Sequence, residues 1–289
     1  VFSKESDLAE LEKLEEEYLE KIKRLDNGIR VTRCYGKSTI VQDICLRRGS
    51  KRIDFTTKID WQEDHVLLKA AFPVDIHARN AAYDIQFGNV ERPTHRNTSW
   101  DAAKFEVCAH KWADLSECGY GVSILNDCKY GYSIEGNVMK LSLLKAATYP
   151  DPNADRGHHE FTYSLLPHCG DYREGKVIQE GYALNMPLLA RKIEAQSGDM
   201  PEQWSMLQTS QENIVIETIK KAEDDGAIIV RFHEAHNRKS RVKIETGFDF
   251  SEVYLVDLME ENPEKLAHNG RTVELPVRNF EIVTIKFVI

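Results

Sequence analysis

The sequence has no apolar run near the ~20 residues that a membrane-spanning helix needs. Its acidic opening, VFSKESDLAELEK, lacks the apolar core of a secretion signal. Positive charge is also scarce: 38 Lys and Arg stand against 47 Asp and Glu, a formal charge of −9. Such a chain has no overall basic footprint for phosphate backbones, which argues against nucleic acid as the main partner, as the missing apolar run argues against a membrane. The 6 cysteines include no C-x-x-C pair. Free thiols in a reducing, cytoplasmic setting therefore fit better than a disulfide frame or a zinc ribbon. There is no Walker loop and no Gly-x-Ser-x-Gly elbow. What remains, 42% hydrophobic and 29% charged residues, is the mix of an ordinary folded protein.

One amphipathic stripe opens the chain. Leu8, Leu11, Leu14, Tyr18, Ile22 and Leu25 recur at spacings of three and four, which predicts a helix over 7–26 that Asn27-Gly28 stops. From Gly28 the pattern changes to short β-branched and aromatic runs: STIVQDICL (38–46), RIDFTTKIDW (52–61), HVLLKAAFPV (65–74) and AAYDIQFG (81–88). GYGVSILND (119–127), YGYSIEGN (130–137), KLSLLKA (140–146), EFTYSLLPH (160–168) and GYALNMPLL (181–189) continue it. With helical periodicity nearly absent, these runs predict a mainly β protein whose first part is a large antiparallel β-sandwich. Residues 190–211 are polar and read as a connection. Six further runs follow, from NIVIETIKKA (213–222) to EIVTIKFVI (281–289), and predict a small immunoglobulin-like sandwich whose last strand is buried. The expected divisions are 1–28 helix and linker, 29–211 large sandwich, and 212–289 small sandwich.

Several constellations invite chemistry. His158-His159 on an extended segment would point to opposite faces, so the pair does not share one ion. His233-Glu234-Ala235-His236 departs from H-E-x-x-H and ends a strand, where a solvated turn is expected. Asp151–Gly157 begins like a calcium loop, but its glycine comes one position late and Thr162 stands where the bidentate Glu belongs, so a structured turn is expected. No catalytic residue and no metal ligand are assigned. Two functional classes stay open on the residues alone. A stand-alone carbohydrate-binding sandwich would present an aromatic platform from Trp61, Trp100, Trp112 or Trp204. An independent sandwich enzyme would need an acid/base pair, for which Asp155 and His158 are the candidates.

Longer segments carry a resemblance. RIDFTTKIDW with HVLLKAAFPVDI, FGNVERPTHRNTSWDAAKFEV, HKWADLSECGYGVSILNDCKYGYSIEGN, LSLLKAATYPDPNADRGHHEFTYSLLPHCG, ENIVIETIKKAEDD and NFEIVTIKF are ordered and co-linear from about Lys37 onward. Together they resemble the C-terminal β region of glycoside hydrolase family 38 α-mannosidases, nearest the cytosolic and bacterial branch. The resemblance implies a galactose-mutarotase-like large sandwich followed by a small one. It also implies that zinc, its ligands, the nucleophile and the acid/base carboxylate belong to a preceding α/β domain, and no H-x-D zinc pair occurs in this sequence. The chain is thus expected to be the C-terminal portion of an α-mannosidase, with no cofactor of its own and zinc in the whole enzyme. Its expected partners are that catalytic domain, a mannose-containing oligosaccharide and further copies of itself.

In such an enzyme the β region resembles a wall of the substrate cleft. The polar loops that the resemblance offers for that wall carry Arg92, His95, Asn126, Asp127, Tyr130, Asp155 and His158. Lys145 stands where related enzymes carry Arg near the cleft. If these groups form one wall, their loops must share one end of the sandwich.

Overall fold

The computed structural model describes residues 19–194, 197–199 and 201–289. The chain divides into two compact units, one running to Leu188 without Gln86–Asn89, the other made of Gln86–Asn89 and Leu189–Ile289. Among the described residues, thirteen strands lie wholly or mainly in the first: β1 Leu19–Leu25, β2 Gly28–Tyr35, β3 Ser38–Leu46, β4 Ile53–Trp61, β5 Leu68–Pro73, β6 Asn80–Ile85, β7 Gly88–Pro93, β8 Val107–Cys108, β9 Trp112–Glu117, β10 Tyr120–Asn126, β11 Gly131–Glu135, β12 Val138–Leu144 and β13 Gly157–His168. They form a nine-stranded sheet, β1-β2-β3-β4-β13-β10-β9-β6-β7, and a four-stranded sheet, β5-β12-β11-β8.

Alternation decides what lies between the two sheets. Ile59 and Trp61, Ile124, Phe161 and Tyr163 from the larger sheet meet Leu68, Tyr132, Ile134, Met139 and Leu141 from the smaller one in a single buried cluster. The intervening residues of the larger sheet face outward, and a second layer covers part of that face. There the helix Val177–Asn185 lies on the sheet. Tyr172 stacks on Trp112 with ring centroids 5.1 Å apart, Lys111 Nζ sits 4.6 Å over the Tyr182 ring, and Arg52 joins buried Asp54 to Glu180.

The second unit holds β14 Leu207–Thr209, β15 Ile214–Lys221, β16 Ile228–Glu234, β17 Ser240–Thr246, β18 Glu252–Val256, β19 Glu264–Lys265, β20 His268–Asn269, β21 Thr272–Val277 and β22 Ile282–Val288. Sheets β14-β17-β21-β20 and β15-β16-β22-β18-β19 enclose a core that includes Val230, Phe232, Val242, Ile244, Val273, Ile285 and Phe287. The final strand is paired on both edges, to β16 and β18, as its apolar run predicts. The unit begins before residue 212 because Leu207–Thr209 pairs with Ile244–Thr246.

Three local expectations change. The helix expected over 7–26 is a strand across Leu19–Leu25, paired with β2 around a two-residue turn at Asp26-Asn27; residues 1–18 lie outside the described residues. An i,i+4 stripe reports only local preference, and the sheet edge supplies every second backbone group of this segment with a partner. GYALNMPLL is not a strand: its first half ends the helix Val177–Asn185, and Leu188 and Leu189 are 99% exposed. The His233–His236 segment is not a solvated turn. Glu234 is fully buried and accepts hydrogen bonds from Asn213 Nδ2 at 2.8 Å and from the amides of His236, Arg238 and Phe280 at 2.8, 3.0 and 3.1 Å.

Beneath the outer layer lies a buried pair. His168 Nε2 is 2.7 Å from Asp114 Oδ1, Ser123 Oγ donates to the same carboxylate oxygen at 2.6 Å, and Ser116 Oγ donates to Oδ2 at 2.8 Å. A Cβ on Gly121 or Gly175 would meet the His168 ring at 2.3 or 2.4 Å, so two glycine backbones clamp the imidazole. Ser123 and Asp114 both face Nε2, whereas a nucleophile relay needs them on opposite ring nitrogens, so this cluster is structural.

Burial opposes charging of His168, but the Asp114 carboxylate outweighs it and raises the imidazole above its ordinary 6.5. The contribution is full below pH 6.5 and fades as pH rises through the folded value. His168→Gln is expected to cost about 3–5 kcal/mol in denaturant unfolding at pH 6 and less at alkaline pH. Glu234 has the opposite sign: burial pushes it up, but its four donors hold it below the usual carboxylate value. Its contribution is therefore present above the unfolded pKa and lost as pH falls through the folded one. Glu234→Gln is expected to destabilise the second unit by about 1–3 kcal/mol at pH 7, with the gap from wild type closing in acid.

Candidate functional site

The polar loops converge at one end of β13. β10 ends at Asn126, opposite Tyr163, and β4 ends at Trp61, opposite Gly157. The connections after β4, β10 and β12 therefore all leave the larger sandwich near the start of β13. Asp127 bridges to that strand twice: its amide donates to the Thr162 carbonyl at 3.1 Å, and its Oδ2 accepts the Thr162 amide at 2.8 Å. Lys129 Nζ lies 4.4 Å over the Phe161 ring.

Asp155 organises the loop between β12 and β13. Its Oδ2 accepts the amides of Lys145 and Ala146 at 2.9 and 2.8 Å, and its carbonyl lies 2.8 Å from His159 Nε2. Burial pushes this carboxyl up, but the two amides, with His159 and Lys129 nearby, hold it below the usual value. Asp151 Oδ1 accepts the Asn153 amide at 2.9 Å, so the calcium-like segment is an Asx turn. The Ala146 carbonyl in turn accepts the His65 amide at 2.8 Å, and Arg156 forms a two-point ion pair with Asp64.

Of the eight candidates, Asp127, Tyr130, Lys145 and Asp155 share this end. Tyr130 is half exposed, its ring edge-on to His110, and the Lys145 side chain is exposed without an ion pair among the described residues. Asn126 and His158 also lie at this end but present nothing to the group, and Arg92 and His95 lie elsewhere. Asn126 is fully buried: its Nδ2 donates to the His110 carbonyl at 2.7 Å and to the Tyr132 hydroxyl, and its Oδ1 accepts the Lys129 amide, leaving no group for a ligand. His158 alternates to the outer face, where its Nδ1 is 3.9 Å from Asp60; His159, not His158, faces Asp155. Arg92 and His95 follow β7 to the opposite end of the sheet, where the Thr94 amide donates to the Arg79 carbonyl beside the start of β6.

This arrangement offers hydrogen-bond donors and acceptors to a polyhydroxylated ligand. It does not assemble an acid/base pair, because both amides hold Asp155 as a carboxylate and His158 points away from it. Trp61 and Trp112 are core residues and cannot form a binding platform, whereas Trp100 and Trp204 are 80% and 55% exposed. Among the described residues no group of three His, Cys, Asp or Glu side chains is placed to hold a metal ion. The sequence reading missed Asp64 and His65; the signal for them was the charged run QEDH between two strong strands, with His65 at φ 56°.

Asp155→Ala removes the acceptor for two amides and is expected to lower stability by about 1–3 kcal/mol. Lys145→Ala should leave it within about 0.5 kcal/mol of wild type. Urea midpoints of the two variants check this contrast.

Comparison with known proteins gives a consistent family. Residues 2–153 match the glycosyl hydrolases family 38 C-terminal domain, and residues 213–285 match the family 38 C-terminal beta sandwich domain. The chain is 44% identical over 227 residues to Alpha-mannosidase 2C1 of Mus musculus, covering 78% of this chain and 22% of that protein. It is 36% identical over 281 residues to Alpha-mannosidase of Saccharomyces cerevisiae, covering 88% of this chain and 26% of that one. The crystal structure of an alpha-mannosidase from Enterococcus faecalis V583 shares the fold with a TM-score of 0.76 at 18% identity, over 90% of this chain and 29% of that chain. The chain thus spans 22% and 26% of the length of these two curated relatives. Two sandwiches in series, each matched by its own domain of the family, place the chain in glycosyl hydrolase family 38, in its C-terminal β region.

Proposed function

We propose that the chain works as the C-terminal β region of an α-mannosidase, supporting a separate catalytic domain and forming part of the wall of its mannoside cleft. The observation that carries this reading is the co-linear match of both sandwiches to C-terminal domains of the family, in relatives named as mannosidases that are several times longer. The loops at the start of β13 suit the wall. Lys145 and Tyr130 leave polar groups exposed, while Asp127 and Asp155 fix the backbone that carries them. The substrate in this reading is a mannose-containing oligosaccharide.

Zinc chemistry belongs to the resemblance, and the described residues of this chain do not fit it: no ligand set is assembled among them. The nucleophile, acid/base group and metal ligands are therefore assigned to the catalytic domain. Exposed Met186, Leu188 and Leu189 suit contact with that domain, and homo-oligomer formation through the same apolar segment is part of this reading. We place the protein in the cytoplasm, where its six free thiols are stable.

The test uses an aryl α-mannoside. The chain by itself, with or without added zinc, is expected to show no turnover above a boiled control. Exchanged for the corresponding region of the mouse relative, it is expected to retain hydrolysis, and Lys145→Ala in that chimera should lower kcat/KM by about 10-fold, or ~1.4 kcal/mol, without loss of stability. Turnover by the isolated chain, or a chimera indifferent to Lys145, would overturn the reading.

A further inference from the structure

Arg92 is a cation without a counter-charge. Its guanidinium carbon lies 4.7 Å from the centroid of the Tyr83 ring, and its Nη1 is buried with no hydrogen-bond partner. No carboxylate among the described residues pairs with it. Burial lowers its pKa from the ordinary arginine value, and pushes the Tyr83 hydroxyl beneath it up to about 12. Arg92 lines a small cleft between β7, the segment 101–107 and β11 that opens to solvent.

The charges around that cleft do not balance. Lys104 lines it and also has no ion pair among the described residues. The two carboxylates present are already engaged. Glu135 takes Arg96 at 2.9 Å, and Asp101 accepts the Thr98 hydroxyl at 2.8 Å and lies 3.8 Å from His95 Nδ1. Three permanent cations thus face two committed acids, in a chain whose overall charge is −9. The ring contact offsets only part of the cost of burial. Withdrawing an unpaired ion from water costs more than a ring face returns. An anion removes that deficit.

We propose that this cleft binds a phosphate group, with the planar fork of Arg92 as the oriented donor and Lys104 as a second, mobile cation. Recognition is of the phosphoryl oxygens, which the guanidinium fork matches. Free phosphate and a phosphomonoester share this chemistry. The site lies at the opposite end of the nine-stranded sheet from Asp155, so it stands or falls independently of the mannosidase reading.

The test is isothermal titration calorimetry of the full chain at constant ionic strength, with inorganic phosphate in one arm and a hexose 6-phosphate in the other. Saturable binding is expected in at least one arm. Equal affinities assign the site to free phosphate and tighter binding of the ester assigns it to a phosphomonoester; either supports the proposal. Arg92→Met is expected to weaken binding at least 10-fold and exposed Lys104→Ala about 3-fold. Lys104→Ala leaves the core untouched, so it remains decisive if Arg92→Met folds poorly. Absence of saturable binding in both arms, or binding unchanged by Lys104→Ala and Arg92→Met, would overturn it.

Discussion

The first unit depends on one strand being satisfied on both edges. β13 pairs with β4 from Gly157 to Leu165 and with β10 from Tyr163 to His168, and the two ladders overlap only over its centre. Removing it would divide the nine-stranded sheet into two pieces, each with a long open edge. Pro167 is tolerated in so central a strand because the β4 ladder has already ended at Leu165. The same strand sets both ends of the unit's chemistry: its start gathers the loops around Asp155, and its last residue carries the imidazole clamped between Gly121 and Gly175.

Charge is handled differently in the two units, but by one rule. A carboxylate taken out of water stays ionised only if donors replace the water. Asp114 receives one hydroxyl from its own strand, a second from β10 and the imidazole from β13, and Glu234 receives three backbone amides and an asparagine. Asp155 repeats the device with two amides. Each carboxylate binds together segments distant in sequence, so its worth lies in specifying chain path as much as in net stability. Arg92 is the exception: it is half withdrawn and unmatched, and that mismatch is what marks it.

Much of the fold was legible in the sequence. STIVQDICL corresponds to β3 over its full length, and EIVTIKFVI to a strand paired on both sides, because alternation of β-branched and polar residues is a local property that a pleated sheet uses directly. The five residues of WADLSE that follow Trp112 hid a strand, since Asp114 breaks the alternation until His168 arrives from 54 positions away. LEKIKRL hid another, since its helical stripe was outweighed by pairing with β2.

The sequence by itself determined the class, the order of two sandwiches and the family, because each rests on patterns read within ten or twenty residues or on long co-linear segments. The site was a matter for tertiary structure alone. Asn126 and Asp127 are neighbours in one polar loop, yet one is consumed by Tyr132 and His110 in the core and the other braces the start of β13. Arg92 and Asp155 look alike as loop polar groups, yet antiparallel pairing sends them to opposite ends of a sheet. Which end a loop occupies, and which acid is left to meet a given base, depends on strand register, and register is set by partners that lie far away along the chain.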